Sequence, residues 1–171
     1  MKETCWVLTG PTASGKTKLS LRLARTHDCE IVCMDSMQIY RAMDIGTAKP
    51  TADECAQAMH HMVDVADPTE DFSVARYQEM AESCIADIQA RGHRALLVGG
   101  TGLYLDALLR GHGYAPGTTG GETRRLLERR WDDEGGEVLF AELRSIDPES
   151  AAALHPNDKK RVIRALEVYR E

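Results

Sequence analysis

The chain has 171 residues, 43% of them hydrophobic and 28% charged, with a formal net charge of −6. That length supports one well-buried core with room for a small appended unit, and no apolar run approaches the roughly 20 residues of a membrane span. The acidic balance weighs against a protein coated with nucleic acid while leaving room for a local basic patch, and five scattered cysteines without C-x-x-C spacing read as reduced thiols of a cytoplasmic protein.

A short apolar run at residues 5–8 predicts a first strand so close to the N-terminus that no leader peptide is expected. It leads into Gly10-Pro11-Thr12-Ala13-Ser14-Gly15-Lys16-Thr17, which satisfies G-x-x-x-x-G-K-[ST] at every fixed position. Strand, glycine-bounded loop and helix in that order make an anion cradle. Backbone N–H groups converge on an oxyanion, and the helix N-terminus adds partial positive charge. Lys16 supplies a full charge and Thr17 a hydroxyl for Mg²⁺. Gly10, Pro11, Thr12, Ala13, Ser14, Gly15, Lys16 and Thr17 are therefore the expected diphosphate- or nucleotide-binding residues.

Apolar spacing predicts a helix over 16–27, then a buried strand over 30–34 that stops at Asp35. A weaker strand is expected at 61–65. Residues 73–91 carry a long amphipathic helix with Gly92 as its stop signal, 95–98 a further strand closed by Gly99-Gly100, and 101–109 another helix. Strands separated by helices predict a mostly parallel sheet covered on both faces, with ligands beyond the carboxyl ends of its strands.

The composition changes near Gly111. Residues 112–121 read as a glycine-rich linker between an α/β core over 1–111 and a helical unit over 122–171, with helices at 122–134, 138–146, 148–154 and 158–170. The fold expected is α/β, a P-loop NTPase-like parallel sheet flanked by helices, with a small helical insert domain.

Asp35 stands at the end of the second strand, beside the anion cradle. It is either a helix N-cap or turn residue, or a group that holds Mg²⁺ through water or accepts a proton from a nucleophile. Ser36 and Gln38 follow it. Thr101, just past Gly99-Gly100, is either the N-cap of its helix or a ligand contact. His60-His61 lack the spacing of a metal site. Arg124, Arg125, Arg129 and Arg130 read as a solvated face or a phosphate-clamping lid. Lys159, Lys160, Arg161 and Arg164 form a basic turn that reads as a solvated face or as a contact to an RNA backbone.

Five blocks occur in one order: the 10–17 loop; Asp35-Ser36-Met37-Gln38-Ile39-Tyr40-Arg41; Met43-Asp44-Ile45-Gly46-Thr47-Ala48-Lys49-Pro50; Leu97-Val98-Gly99-Gly100-Thr101-Gly102-Leu103-Tyr104; and His155-Pro156-Asn157-Asp158 with Arg164-Ala165-Leu166-Glu167-Val168. Together they strongly resemble the tRNA dimethylallyltransferases, also called tRNA isopentenyltransferases. The resemblance implies transfer of a prenyl group from dimethylallyl diphosphate to N6 of adenosine 37, next to the tRNA anticodon. It makes Asp35 the general base, with Lys16 and Thr101 as its catalytic companions near the donor diphosphate, and Mg²⁺ the cofactor at Thr17. By the same resemblance Asp35, Ser36, Met37, Gln38, Thr101, Arg124, Lys160, Arg161, Val162, Ile163 and Arg164 contact tRNA in its anticodon stem-loop, and a monomer without membrane contact is expected. Family members are typically much longer, so weak or absent transfer is expected of these 171 residues alone.

Three other functions fit parts of the pattern. A small-molecule or nucleotide kinase would use the same loop and Asp35, and would prefer ATP to pyrophosphate. A prenyltransferase acting on free AMP or ADP would share the fold. An RNA-binding module without catalysis would bind RNA in a salt-dependent way and ignore diphosphates.

Overall fold

The computed structural model describes residues 4–110 and 121–170, and the chain divides into two compact units, residues 1–114 and 115–171. The linker expected at 112–121 lies outside the described residues except for Gly121.

The first unit runs β1 (Trp6–Thr9), α1 (Lys16–His27), β2 (Cys29–Met34), α2 (Ala52–Cys55), β3 (His60–His61), α3 (Val74–Ala90), β4 (Arg94–Gly99) and α4 (Gly102–Arg110). All strand pairs are parallel, in the order β1-β4-β2-β3. Strand alternation sorts the core into two layers. Ile31 and Leu96 pack with Leu21 and Ala24 of α1, whereas Val32 and Leu97 join Tyr77, Ala81 and Ile88 of α3 and Tyr104 of α4. Central β2 is buried throughout, as its nearly continuous apolar run requires.

Local chemistry sets the helix ends. Asp28 turns left-handed to close α1, its N–H donating to the Ala24 carbonyl. The Ser73 hydroxyl accepts from the Arg76 N–H to open α3, and Gly92, at φ 85°, turns the chain out of it. Two elements differ from expectation. The strand expected at 61–65 shrinks to His60–His61, because Met62 and Asp64 adopt φ of 62° and 56° and break the extended path. The short helix α2 is held by a reciprocal capping box between Thr51 and Glu54.

At the amino ends of the strands, Glu30 anchors α3 to the sheet. Its carboxylate takes both Arg91 Nη atoms and His61 Nε2, the latter at 2.6 Å. The Arg91 guanidinium holds this carboxyl down to about 2 against the opposing effect of burial, with His61 adding to the pull.

The second unit contains α5 (Glu122–Glu134), α6 (Gly136–Ile146), α7 (Pro148–Ala153) and α8 (Lys159–Arg170) around Leu127, Leu139, Phe140, Leu143, Val162, Ile163 and Leu166. A Cβ at Gly136 would meet the Trp131 ring at 2.4 Å, so a larger residue there would make that ring move. Asp147 caps α7, accepting from the Ser150 N–H at 3.0 Å. No helix among the described residues is long and apolar enough to cross a membrane.

Candidate functional site

The anion cradle forms between β1 and α1. Gly15, with φ 86°, takes the N-cap position of α1 and offers no side chain to the first-turn N–H groups. Those donors are left for an anion, and the helix dipole favours one. Gly10 and Ala13 supply the other unusual backbone angles, with φ of 156° and 62°. Lys16 Nζ donates to the Gly10 carbonyl at 2.8 Å and the Pro11 carbonyl at 2.6 Å. Its charge is thereby pinned to the loop.

A cavity of about 480 Å³ opens over this loop. Thr12 to Thr17, Asp35, Met37 and Gln38 line it, joined by Gly46, Thr47, Ala48, Val98 and Gly99. The fold thus brings most of the expected donor-site residues together with Asp35, at the carboxyl ends of β2 and β4. Gly10, Pro11, Ser36 and Thr101 are not among the residues lining it. A crevice of about 40 Å³ shares Thr17, Gln38, Ala48 and Val98 with this cavity and is walled further by Ile31, Cys33, Pro50 and Val63.

The surroundings of Asp35 are built from three directions. Its Oδ1 accepts from the Met37 N–H at 2.9 Å, which fixes the turn after β2. The Thr101 hydroxyl accepts from the Ser36 N–H at 3.1 Å, while the Thr101 N–H donates to the Met34 carbonyl. The Thr101 side chain is therefore a brace between the ends of β4 and β2, and it does not cap α4. Tyr77, stacked on Tyr104 with ring centroids 3.7 Å apart, donates its hydroxyl to the Cys33 carbonyl at 2.9 Å. Gly99 has no room for a side chain, because a Cβ would sit 2.2 Å from the Met34 carbonyl oxygen. Its close approach is to β2.

Gln38 is a positioning residue in this structure. Its Nε2 donates to the Thr47 and Ala48 carbonyls at 3.0 and 2.9 Å, and its Oε1 accepts from the Cys33 thiol. Burial pushes that thiol up to about 12, so it stays a neutral donor. The 44–49 segment is secured a second time by Lys49. Its nearly buried ammonium donates to Asp44, Asp64 and the Tyr40 carbonyl at 2.6, 2.7 and 2.9 Å. Sequence reasoning gave no role to Gly46, Thr47, Ala48 or Lys49; the one signal was the occurrence of their block beside the others.

In the second unit, Arg124 and Arg164 both donate to Glu167 Oε2, at 2.8 and 2.7 Å. Glu167 is fully buried, and among the described residues Glu167 Oε1 and Arg124 Nε have no hydrogen-bond partner. Lys160 and Arg161 are exposed on α8. Val162 and Ile163, expected among the tRNA contacts, are 0% and 2% exposed and form part of this unit's core. The 3.6-residue helical period turns these two side chains inward.

For Mg²⁺, the Thr17 hydroxyl and the Asp35 carboxylate line the same cavity. Hydroxyl and carboxylate oxygens are of the kind a hard cation takes. No cluster of three or more His, Cys, Asp or Glu side chains suited to a metal occurs among the described residues.

Residues 38–171 match the family model described as IPP transferase. A tRNA dimethylallyltransferase of Roseiflexus castenholzii is 56% identical over 162 residues, covering 95% of this chain and 53% of that protein. The crystal structure of the full-length tRNA isopentenylpyrophosphate transferase of Bacillus halodurans superposes with a TM-score of 0.65 at 46% identity, over 99% of this chain and 56% of that one. A eukaryotic dimethylallyltransferase acting on tRNA superposes with a TM-score of 0.81 at 31% identity, over 98% of this chain and 42% of that one. The chain spans about half the length of the curated relatives it matches.

Proposed function

The chain belongs to the IPP transferase family, and from that premise we propose that it transfers a dimethylallyl group from dimethylallyl diphosphate to the exocyclic N6 of adenosine 37 in the tRNA anticodon loop. The observation that carries this reading is the single cavity holding both the 12–17 anion loop and the Asp35 carboxylate. One element receives a diphosphate; the other takes a proton.

The N–H groups of the loop, the α1 dipole and Lys16 bind the diphosphate and meet the charge that grows on its oxygens as it leaves. Bound near Thr17, Mg²⁺ would neutralise part of that charge. Val63, Ile31 and Val98 give the small crevice beside the loop an apolar side toward which the prenyl group would point. The N6 lone pair forms a bond to the allylic carbon, the carbon–oxygen bond breaks, and its electron pair leaves with the diphosphate. The N6 proton passes to Asp35, whose orientation the Met37 N–H maintains.

The test gives the protein dimethylallyl diphosphate, Mg²⁺, ATP and an anticodon stem-loop together. The expected result is a five-carbon increment on an RNA adenine matched by released diphosphate. Conversion of ATP to ADP with no prenylated RNA would replace this reading with the kinase one.

A further inference from the structure

Ile45 is 99% exposed, the most exposed of the large hydrophobic residues among those described. A lone apolar residue on a surface is ordinary. The mounting of Ile45 is what distinguishes it. Asp44 before it is tied through the buried Lys49 ammonium to Asp64 and to the Tyr40 carbonyl. Behind it, Gly46 turns at φ 82° and Thr47 is fastened through its hydroxyl to the Met43 carbonyl at 2.6 Å and through its own carbonyl to Gln38. A loop bound this closely on both flanks could have folded its isoleucine inward. It instead holds the side chain out in water, and the next three residues line the cavity containing Asp35. Met37, 45% exposed, is an apolar side chain that does line that cavity, whereas Ile45 stands just outside the residues that line it.

We propose that Ile45 is an apolar wedge that enters the RNA base stack and fills the place left when the acceptor adenine moves into the cavity. The inference rests on the tRNA-prenylation reading above and specifies how that site obtains its substrate. An adenine stacked in RNA cannot bring N6 to a carboxylate inside a cavity, so it must leave the stack at a cost of unstacking. Proteins that open base steps commonly insert Ile, Leu, Met or Phe between them. A wedge works only when it is prevented from retracting, and the Lys49 and Gln38 tethers meet that need. They leave the side chain itself without contacts to give up.

The experiment uses a stem-loop carrying 2-aminopurine beside the acceptor adenine, whose fluorescence rises on unstacking, with the parent protein, Ile45→Ser and Ile45→Met. The parent is expected to raise the fluorescence. Ile45→Ser should lose that rise and raise the KM for RNA about 10-fold, in the range of a lost stacking contact. Ile45→Met should retain both, and pyrophosphate affinity and melting temperature should match the parent in each variant. An Ile45→Ser protein with unchanged fluorescence and RNA KM overturns the wedge. So does one with a lowered melting temperature and parental RNA behaviour, which would make Ile45 a packing residue. A parent that never engages the stem-loop but binds pyrophosphate removes the prenylation reading, and the wedge with it.

Discussion

At the scale of single residues, Asp35 and Thr101 divide the work at the cavity between contact and support. Asp35 lines the cavity, and only one of its oxygens is engaged by the Met37 N–H. Replacing Asp35 with Ala should lower prenyl transfer about 100-fold or more, as loss of a positioned base does, with donor affinity nearly unchanged. Calorimetry beside single-turnover rates checks this; a collapse of donor affinity would reassign Asp35 to the metal. Thr101 acts one step back, through the Ser36 N–H. Thr101→Val removes that acceptor while keeping the shape, so kcat should fall about 10-fold with the donor KM little changed, the cost of leaving one hydrogen bond unmade near the reacting groups. Thr101→Ser should restore it, and equal loss in both variants would make the methyl group the important part. The place of Asp35 at the cavity was legible in the sequence because it ends a buried strand beside an anion loop. The Thr101 bond was not, since its partner lies 65 residues away in the turn after β2.

Among elements, each unit has a buried carboxylate that joins elements within it. Glu30 ties the end of α3 to β2 and β3, and its carboxyl is held down from 4.5 to about 2, chiefly by Arg91. A group whose folded value is lowered adds stability that is full above its ordinary value and is lost as pH falls toward the folded one. Between about pH 4.5 and 2 the parent should therefore lose melting temperature more steeply than Glu30→Gln, which already lacks the contribution at pH 7. Parallel melting curves would contradict that role. In the second unit, Glu167→Gln leaves Arg124 and Arg164 without their shared carboxylate. Both guanidinium groups retain some solvent, so a loss of about 2 kcal/mol is expected in denaturant unfolding, less than for a wholly buried pair; no loss would mean the guanidinium groups find water instead. The helices were readable from spacing and caps: Ser73 and Gly92 bracket α3 in the sequence as they do in the fold. The truncation of β3 was not, because the left-handed turns at Met62 and Asp64 fall on residues without the freedom of glycine. The α2 capping box was present as Thr51 and Glu54, but four residues are too few for a periodic signal.

For the molecule as a whole, the sequence order strand, loop, helix, strand is enough to predict where a ligand binds, because a parallel sheet gathers its strand ends at one edge. What that order cannot specify is the far wall of the cavity, which the 46–48 segment supplies through the Gln38 and Lys49 tethers. The same limit applies to Val162 and Ile163, which share a basic stretch with Lys160, Arg161 and Arg164 yet belong to the core. The account rests on the 10–17 loop receiving a prenyl diphosphate, and the most direct measurement is calorimetric titration with Mg²⁺ of dimethylallyl diphosphate, pyrophosphate and ATP into the parent and Lys16→Ala. Dimethylallyl diphosphate is expected to bind more tightly than pyrophosphate, ATP to gain nothing over pyrophosphate, and Lys16→Ala to weaken the first two about 10- to 100-fold, the worth of a charged contact. Tight binding of ATP beside indifference to the prenyl diphosphate would contradict it.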